Sequence, residues 1–208
     1  MTKQNLASQE KTRKKSGDNR SLLITAAYKL LAQQGYEATT VKEIARVADV
    51  SPGLFHYYFD SKEQLLLEVI REASDQYKRT MAQLRDEVPR QNLTEAALAR
   101  TKERVAREPE WFRLCYELYA LGMRNPGLLP AAGELLERKR NGIAKMLQAI
   151  AGESSEDGQS SWDALAALLL ACFDGLALQK LTQPDFDLDA AFQLLYELVE
   201  PRLKSNEG

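Results

Sequence analysis

The stretch Thr39 to Leu65, TTVKEIARVADVSPGLFHYYFDSKEQL, predicts two short helices joined by a tight turn and followed by the start of a third. Thr40 and Glu43 have the spacing of a capping box, in which the hydroxyl caps a free backbone N–H and the carboxylate reaches back. Ser61 and Gln64 repeat that spacing. The second helix carries no acidic residue. This layout predicts a helix-turn-helix, which places its second helix in the major groove of DNA.

The second helix is predicted to run from Pro52 to Tyr58. Ser51 can cap it, and a proline suits the first helical position, where the missing N–H has no partner to lose. Phe55 and Phe59 are expected to be core residues that hold this helix against the first helix of the domain. Tyr58 fits a core position or a DNA contact equally well.

These residues resemble the TetR family of bacterial transcriptional regulators over roughly residues 21 to 67. The resemblance is carried by Gly35 to Val41, Ile44, Ala45, Val50, Ser51, Gly53, Tyr58, Phe59, Ser61 to Glu63 and Leu65. Three positions depart from the family pattern. Asp49 replaces the usual glycine of the turn, Leu54 replaces a frequent threonine, and His56 replaces a commonly aromatic tyrosine.

The resemblance implies a set of DNA-binding residues. Thr40 and Lys62 match phosphate-backbone contacts, whereas His56 and Tyr57 match positions that touch base edges or phosphates. Physical chemistry supports these roles, since free N–H groups at a helix start attract phosphate and an apolar side chain can touch a thymine methyl group. For Thr40 a purely capping role is the alternative, and for His56 an ordinary surface position. The expected DNA-binding residues are Thr40, Ser51, Pro52, Gly53, Leu54, His56, Tyr57 and Lys62.

Charge is distributed unevenly along the chain. Residues 1–62 contain ten Lys or Arg and six Asp or Glu, whereas the remainder contains eighteen and twenty-four. A basic head on an acidic body fits a protein that docks one end on DNA. A basic run precedes the first helix and comprises Lys11, Arg13, Lys14, Lys15 and Arg20. We expect residues 1–18 to be a disordered arm that reaches phosphates or the minor groove, with a solubilising tail as the alternative.

The rest of the sequence predicts an all-α protein of 208 residues. We expect a three-helix DNA-binding domain over residues 19–66 and a larger helical ligand-binding and dimerisation domain over residues 67–208. A long helix should run from about residue 66 to Pro89. The further helices are expected at about Leu93 to Arg107, Glu110 to Met123, Leu128 to Ala151, Trp162 to Leu181 and Leu188 to Leu203.

No segment has the pattern of a signal peptide or a membrane-spanning helix, so a cytoplasmic location is expected. Cys115 and Cys172 lie in apolar helical surroundings and are expected to be reduced core residues. The absence of a Cys/His cluster argues against a metal, and no cofactor is expected. The sequence also contains no Gly-rich phosphate loop or nucleophile elbow, and its one histidine lies on the recognition helix, so we do not expect an enzyme.

The last two helices predict a homodimer. The segment Leu165 to Leu181 is apolar nearly all round, which is unusual for a solvated helix. The final helix has an apolar stripe of Leu188, Ala191, Phe192, Leu195 and Leu198. Two such helices from each chain would form a four-helix interface, although a monomeric core is the alternative. The resemblance favours the dimer, in which two heads read the two half-sites of a palindrome.

The body between the head and the last helices is the expected sensor of a largely apolar small molecule. The expected ligand-binding residues are Trp111, Cys115, Tyr116, Tyr119, Phe173 and Asp174. Asp174 interrupts an apolar run and needs a partner. That partner is either a structural cation such as Arg113, which we favour, or a cationic ligand among aromatic rings. The predicted function is a repressor released from a palindromic operator by its ligand. The alternatives are a co-repressor-dependent regulator and a helical protein-binding adaptor.

Overall fold

A computed structural model describes the backbone of residues 3–152 and 159–204 and the side chains of residues 18–152 and 162–203. All regular structure in these ranges is helical, which confirms the all-α fold. The helices are α1 (Lys3–Ala38), α2 (Val41–Val47), α3 (Pro52–Tyr58), α4 (Lys62–Glu87), α5 (Arg90–Arg107), α6 (Pro109–Arg124), α7 (Leu129–Ala151), α8 (Gln159–Thr182) and α9 (Leu188–Lys204). The chain divides into two compact units, Met1–Ala73 and Ser74–Gly208, and the division falls inside α4.

The first unit has its core between α1, α2, α3 and the start of α4. The apolar face of α1 is buried, with Leu23 and Ala27 fully enclosed. Phe55 and Phe59 are buried as expected, with ring centroids 5.6 Å apart. The helical geometry of α1 breaks at Gly35, which adopts a φ of 77°.

The beginning of α1 differs from the expected disordered arm. The backbone of residues 3–18 is helical and continuous with the rest of α1. The segment is rich in Lys, Arg, Gln, Glu and Ala, which have high intrinsic helix propensity and so favour this conformation without tertiary packing. The side chains of the basic run from Lys11 to Lys15 lie outside the described residues, as does the backbone of residues 153–158.

The helix-turn-helix matches its predicted start and end signals in most details. The Thr40 hydroxyl caps α2 by accepting a hydrogen bond from the Glu43 backbone N–H at 3.2 Å. The Ser61 hydroxyl likewise accepts from the Gln64 N–H at 3.1 Å. Ser51 occupies the N-cap position of α3 but forms no capping hydrogen bond through its side chain, so that part of the expectation is wrong. The proline that follows contributes no N–H, which leaves fewer donors for a cap to satisfy.

The turn between α2 and α3 requires a left-handed residue at Asp49, whose φ is 55°. Aspartate tolerates this region better than most residues, and glycine occupies it without steric cost. We predict that Asp49→Gly stays within about 0.5 kcal/mol of the wild-type unfolding free energy, because strain relief is offset by unfolded-chain entropy. Asp49→Val should cost about 1–2 kcal/mol. Urea unfolding measures both, and a valine variant as stable as wild type would contradict the left-handed turn.

The second unit has its main core where α7, α8 and α9 meet. Trp162 and Leu169 of α8 pack with Leu147 of α7 and Leu195 of α9 in this core. A smaller cluster joins Leu93 and Ala97 of α5 to Met146 of α7. Both clusters place the apolar faces of these helices toward one interior.

Helix α8 differs from the expectation that no segment could span a membrane. Its part Trp162–Thr182 is long and apolar enough to do so by length and composition, with a mean hydropathy of 1.6. One such helix is weak evidence for a membrane, since core helices of soluble proteins have the same composition. Only 22% of this segment is buried within the chain, however, so much of its apolar surface has no partner in a single copy.

The outward apolar residues of α8 and α9 differ partly from the predicted stripe. Leu188, Phe192 and Leu195 are buried in the chain's own core, so Leu195 is not a surface residue. Leu198 is exposed as a dimer contact requires. Helix α9 has one apolar face toward the core and another toward the outside. The predicted stripe treated residues of both faces as a single surface. The exposed large apolar residues on these two helices are Leu168, Leu178, Leu194 and Leu198.

The two cysteines occupy different environments. Both are free thiols. Cys115 is buried as expected, and burial raises the pKa of its thiol to about 12. Cys172 is exposed, which corrects the prediction of a core position. It lies on the same outward side of α8 as Leu168, because the two positions are four residues apart.

Candidate nucleic-acid interface and ligand cavity

Helix α3 presents one exposed face above a buried one. Pro52, Gly53, His56 and Tyr57 are exposed, and the Tyr57 side chain is 74% accessible. Leu54 is half-buried. The exposed face therefore carries the Tyr57 hydroxyl, the His56 imidazole and the backbone of Gly53 without a side chain over it. All three can reach the edges of bases.

Aromatic contacts orient the side chains of this face. The His56 ring packs edge-on against buried Phe55, with centroids 5.3 Å apart. The Tyr57 ring packs edge-on against Tyr58, with centroids 4.9 Å apart. Such contacts restrict rotamers before any partner arrives and so lower the entropic cost of binding. A Cβ atom at Gly53 would meet nothing within 4 Å, so packing does not explain this glycine, and its backbone is open to close approach.

Two of the expected phosphate-binding residues have structural roles. Thr40 is exposed and caps α2, and a hydroxyl that caps a helix can also contact a phosphate. The Lys62 ammonium donates to the carbonyl oxygens of Tyr36 and Thr39 at 2.8 and 2.9 Å and lies 3.9 Å from the Tyr36 ring centroid. Lys62 thus ties the start of α4 to the end of α1. An ammonium group has three donors, so one N–H is left over for a phosphate.

A buried tyrosine reinforces this junction. The Tyr36 hydroxyl donates to Glu63 Oε1 at 2.5 Å. Burial, followed by the hydrogen bond to Glu63 and then the negative charge of that residue, raises the pKa of Tyr36 well above its usual range. The same hydrogen bond lowers the pKa of the Glu63 carboxyl. The hydrogen bond therefore requires the Tyr36 hydroxyl to stay protonated, and it is strongest when the Glu63 carboxyl is ionised.

We predict that this pair makes the first unit sensitive to acid. A carboxyl with a depressed folded-state pKa stabilises the fold above its unfolded pKa, and the contribution disappears as the pH falls through the folded value. Tyr36→Phe should cost about 1–2 kcal/mol at pH 7 and less at pH 3. Urea unfolding at both values measures this, with Tyr57→Phe as the exposed control. An equal cost at both pH values would contradict the role of the Glu63 charge.

The second unit encloses a cavity of about 440 Å³. Its lining combines residues from α4 to α9. Of the six residues expected to bind ligand, Trp111, Phe173 and Asp174 line the cavity. Cys115, Tyr116 and Tyr119 do not line it.

The residues behind the lining support it. The Tyr116 hydroxyl donates to the Asp174 carbonyl oxygen at 2.6 Å, and Tyr119 lies beneath Lys139, with its ring centroid 5.8 Å from the Lys139 Nζ. Burial raises the pKa of both tyrosines far above the usual range, so both stay protonated donors.

The partner of Asp174 is structural, as favoured, but it is Lys139 instead of Arg113. The Lys139 Nζ lies 2.6 and 2.8 Å from the two carboxylate oxygens. Both side chains are mostly enclosed. This pair joins α7 to α8, and both of its residues line the cavity.

Sequence reasoning missed Arg104 and Tyr77. Arg104 is 7% exposed and lines the cavity, and its Cζ lies 3.8 Å from the Tyr77 ring centroid and 4.4 Å from that of Trp111. A signal was available, because Arg104 follows Leu93, Ala97 and Thr101 at helical spacing and thus interrupts the inward face of α5. A charged residue on that face indicates a polar feature inside the body.

The exposed recognition face and the enclosed cavity define a class of protein, the helix-turn-helix transcriptional regulators with a helical ligand-binding body. Residues 23–69 match the family described as bacterial regulatory proteins, tetR family. Residues 89–201 match the tetracyclin repressor-like C-terminal domain. The chain therefore belongs to the TetR family, and it is a DNA-binding transcriptional regulator.

Three comparisons describe its similarity to known proteins. The HTH-type transcriptional regulator BetI of Rhizobium meliloti is 29% identical over 198 residues, which cover 90% of each chain. A transcriptional regulator from Saccharomonospora viridis in complex with choline has a TM-score of 0.66 and 24% identity, covering 87% of this chain and 95% of that one. FadR from Bacillus subtilis in complex with stearoyl-CoA has a TM-score of 0.65 and 22% identity, covering 86% and 96%. The two structural similarities concern the fold.

Proposed function

We propose that this protein is a cytoplasmic repressor that binds a palindromic operator as a homodimer and leaves it when a small molecule fills the cavity of the second unit. The observation that carries the proposal is the exposed face of α3 with Phe55 and Phe59 locked beneath it. His56 and Tyr57 then read bases, whereas Thr40, Ser51 and the remaining donor of Lys62 position the head on phosphates. No enzymatic role is proposed.

The homodimer is supported by the uncovered apolar surface of α8 and α9. Positions 164, 168, 171, 175 and 178 of α8 step alternately by four and three, and hold Ala, Leu, Ala, Gly and Leu. Small residues between leucines allow close approach of a second helix. Together with Leu194 and Leu198 of α9, this surface suits a four-helix interface between two copies.

Release by a ligand is supported by the cavity. Its volume lies within the range of small-molecule sites, and aromatic and aliphatic side chains dominate its lining. Two structural neighbours contain bound small molecules, choline in one and stearoyl-CoA in the other. A ligand that favours the DNA-free arrangement lowers operator affinity, and operator DNA must lower ligand affinity by the same factor.

The test is a selection of genomic fragments from the source organism by the purified dimer, followed by sequencing. We expect one enriched palindrome whose half-sites are spaced for two heads. Compounds that raise the thermal midpoint of the protein should then release that fragment. Tighter DNA binding with such compounds would indicate a co-repressor instead. An adaptor would enrich no DNA, and that result would refute the proposal.

A further inference from the structure

The cavity of the second unit has an unusual charge balance. Among the described residues that line it, six are Lys or Arg, and Asp174 is the one acid. That acid is already neutralised, because Lys139 lies within 2.8 Å of both its oxygens. The cationic lining residues are Lys78, Arg85, Arg104, Arg138, Lys139 and Lys145. Arg85, Arg104 and Arg138 also form ion pairs, with Asp86, Glu108 and Asp75 outside the lining, so the positive excess of the lining is only partly neutralised.

Arg104 is the deepest of these charges. Its Nε donates to Glu108 Oε2 at 2.9 Å, and no bond from its two Nη groups to a described residue is formed. No enclosed side-chain nitrogen of the described residues lacks a partner, so these Nη groups reach open space. Arg104 is more than nine-tenths buried and lines the cavity, so that open space is the cavity itself. Up to four N–H donors of one guanidinium are thus available to a ligand.

The aromatic rings beside Arg104 are already occupied. The guanidinium lies between Tyr77 and Trp111, which places a cation on the ring faces that a quaternary ammonium ligand would use. A cationic ligand would meet Arg104 at close range and would need Asp174 to abandon Lys139. With its Nε bonded to Glu108, Arg104 still offers its Nη donors to an anion, whereas a cation placed at this end would face a like charge.

The opposite end of the cavity is apolar. Helices α4 and α5 run antiparallel, since Tyr77 contacts Thr101 and Arg104, whereas Met81 packs with Leu93 and Ala97 one to two turns further along. Met146 and Ile150 of α7 pack at this second end. A line drawn away from Arg104 therefore passes from charged and aromatic groups to mainly aliphatic side chains, with Thr94 and the exposed Arg85 and Lys145 also in the lining.

We infer that the effector is an amphipathic anion, with a carboxylate or phosphate head on the Arg104 guanidinium and an aliphatic chain directed toward Met146. This inference rests on the proposed function, and it specifies the chemical class of the ligand. Charge-assisted bonds to a planar guanidinium are the ordinary way in which proteins hold such heads. The exposed Lys78, Arg85 and Lys145 at the lining raise the local concentration of an anion.

The test is isothermal titration calorimetry of the intact protein with four eight-carbon probes. These are octanoate, octyl phosphate, 1-octanol and octyltrimethylammonium. At least one of the two anions should bind more tightly than the alcohol, and the ammonium compound should bind most weakly. The tighter of the two anions identifies the head group. Lengthening the carboxylate from hexanoate to octanoate should raise affinity about fourfold per methylene, as burial of a CH₂ group predicts.

Variants of α5 locate the head. Arg104→Met should weaken binding of the anion by about 10- to 150-fold, as loss of a charged hydrogen bond implies, whereas Arg104→Lys should retain part of the affinity. Arg100→Met is the matched control, because it removes an arginine one turn earlier that does not line the cavity. Thermal midpoints show whether each variant folds. The comparison of the four probes uses the wild-type protein, so it tests the inference even if a variant does not fold.

Several results would overturn the inference. They are tighter binding of octyltrimethylammonium than of both anions, equal affinity of wild type and folded Arg104→Met for the anion, and no binding of either anion. The outcome stays separate from that of the proposed function, because calorimetry needs no DNA. If octyltrimethylammonium alone released the operator, the proposed repressor function would be supported and the anionic effector would be refuted. If the protein bound an anion tightly but retained no DNA, the anionic ligand would be supported and the repressor function would be refuted.

Discussion

Leu168→Arg is expected to separate the two copies of the protein and to remove specific DNA binding with them. Leu168 is 66% exposed in a single chain and lies in the middle of the apolar surface of α8. An unpaired arginine desolvated in that interface would cost several kcal/mol. The fold of each chain should be unaffected, because this side chain packs against little of its own core. Light scattering measures the mass, and fluorescence anisotropy measures binding to the selected fragment.

Leu129→Arg is the matched control for this prediction. Leu129 is 55% exposed at the start of α7. The substitution therefore adds the same charge at a comparably exposed leucine that lies outside α8 and α9. It should remain dimeric and bind the fragment as wild type does. A wild-type protein that is monomeric at binding concentrations would contradict the interface, as would a Leu168→Arg variant that stays dimeric.

Phe55→Ala and Tyr57→Ala should have opposite consequences, although both lie on α3. Phe55 is completely buried, so its truncation removes contacts and leaves a cavity, at a cost of about 3–5 kcal/mol. Affinity for all DNA sequences should fall because the recognition helix loses its support. Tyr57 is largely exposed, and its truncation should leave stability within about 0.5 kcal/mol while it changes the preferred bases.

Urea unfolding and a repeated DNA selection distinguish these results. His56→Ala is a second test, because it removes another exposed side chain from the same face. Folded Tyr57→Ala and His56→Ala variants that both select the wild-type sequence would show that this face does not read bases. A Phe55→Ala variant as stable as wild type would show that the recognition helix is held by other contacts.

Local signals account for the success of the sequence predictions in the first unit. Pro52 and the Asp60-Ser61 pair punctuate the chain within a few residues of the helix ends, and α3 begins and ends where they predict. Phe55 and Phe59 are separated by four residues, so helical periodicity alone places them on one buried side. The two hydrogen bonds of Lys62 were not predictable, since their acceptors lie more than twenty residues earlier, one at the end of α1 and the other in the turn that follows it.

In the second unit, periodicity predicts helices better than it predicts which faces meet. Asp174 needed a partner, but Lys139 lies 35 residues away and only the packing of α7 against α8 brings them together. Leu195 and Leu198 belong to the same apolar helix, yet one faces the core and the other faces outward. When a helix has two apolar faces, only its packing in the tertiary structure determines which face is buried. Arg104 was visible as an interruption of a stripe, but its aromatic neighbours come from α4 and α6.

The central claim is that this protein binds DNA through the exposed face of α3 with phosphate contacts around it. The most direct measurement is the anisotropy of the selected fragment titrated with protein at salt concentrations from 50 to 200 mM. The account predicts a linear decrease of log affinity with log salt and a loss of ~100-fold or more over that range, because counterions are released at each neutralised phosphate. An affinity that stays flat over the range, or a random fragment bound as tightly as the selected one, would contradict it.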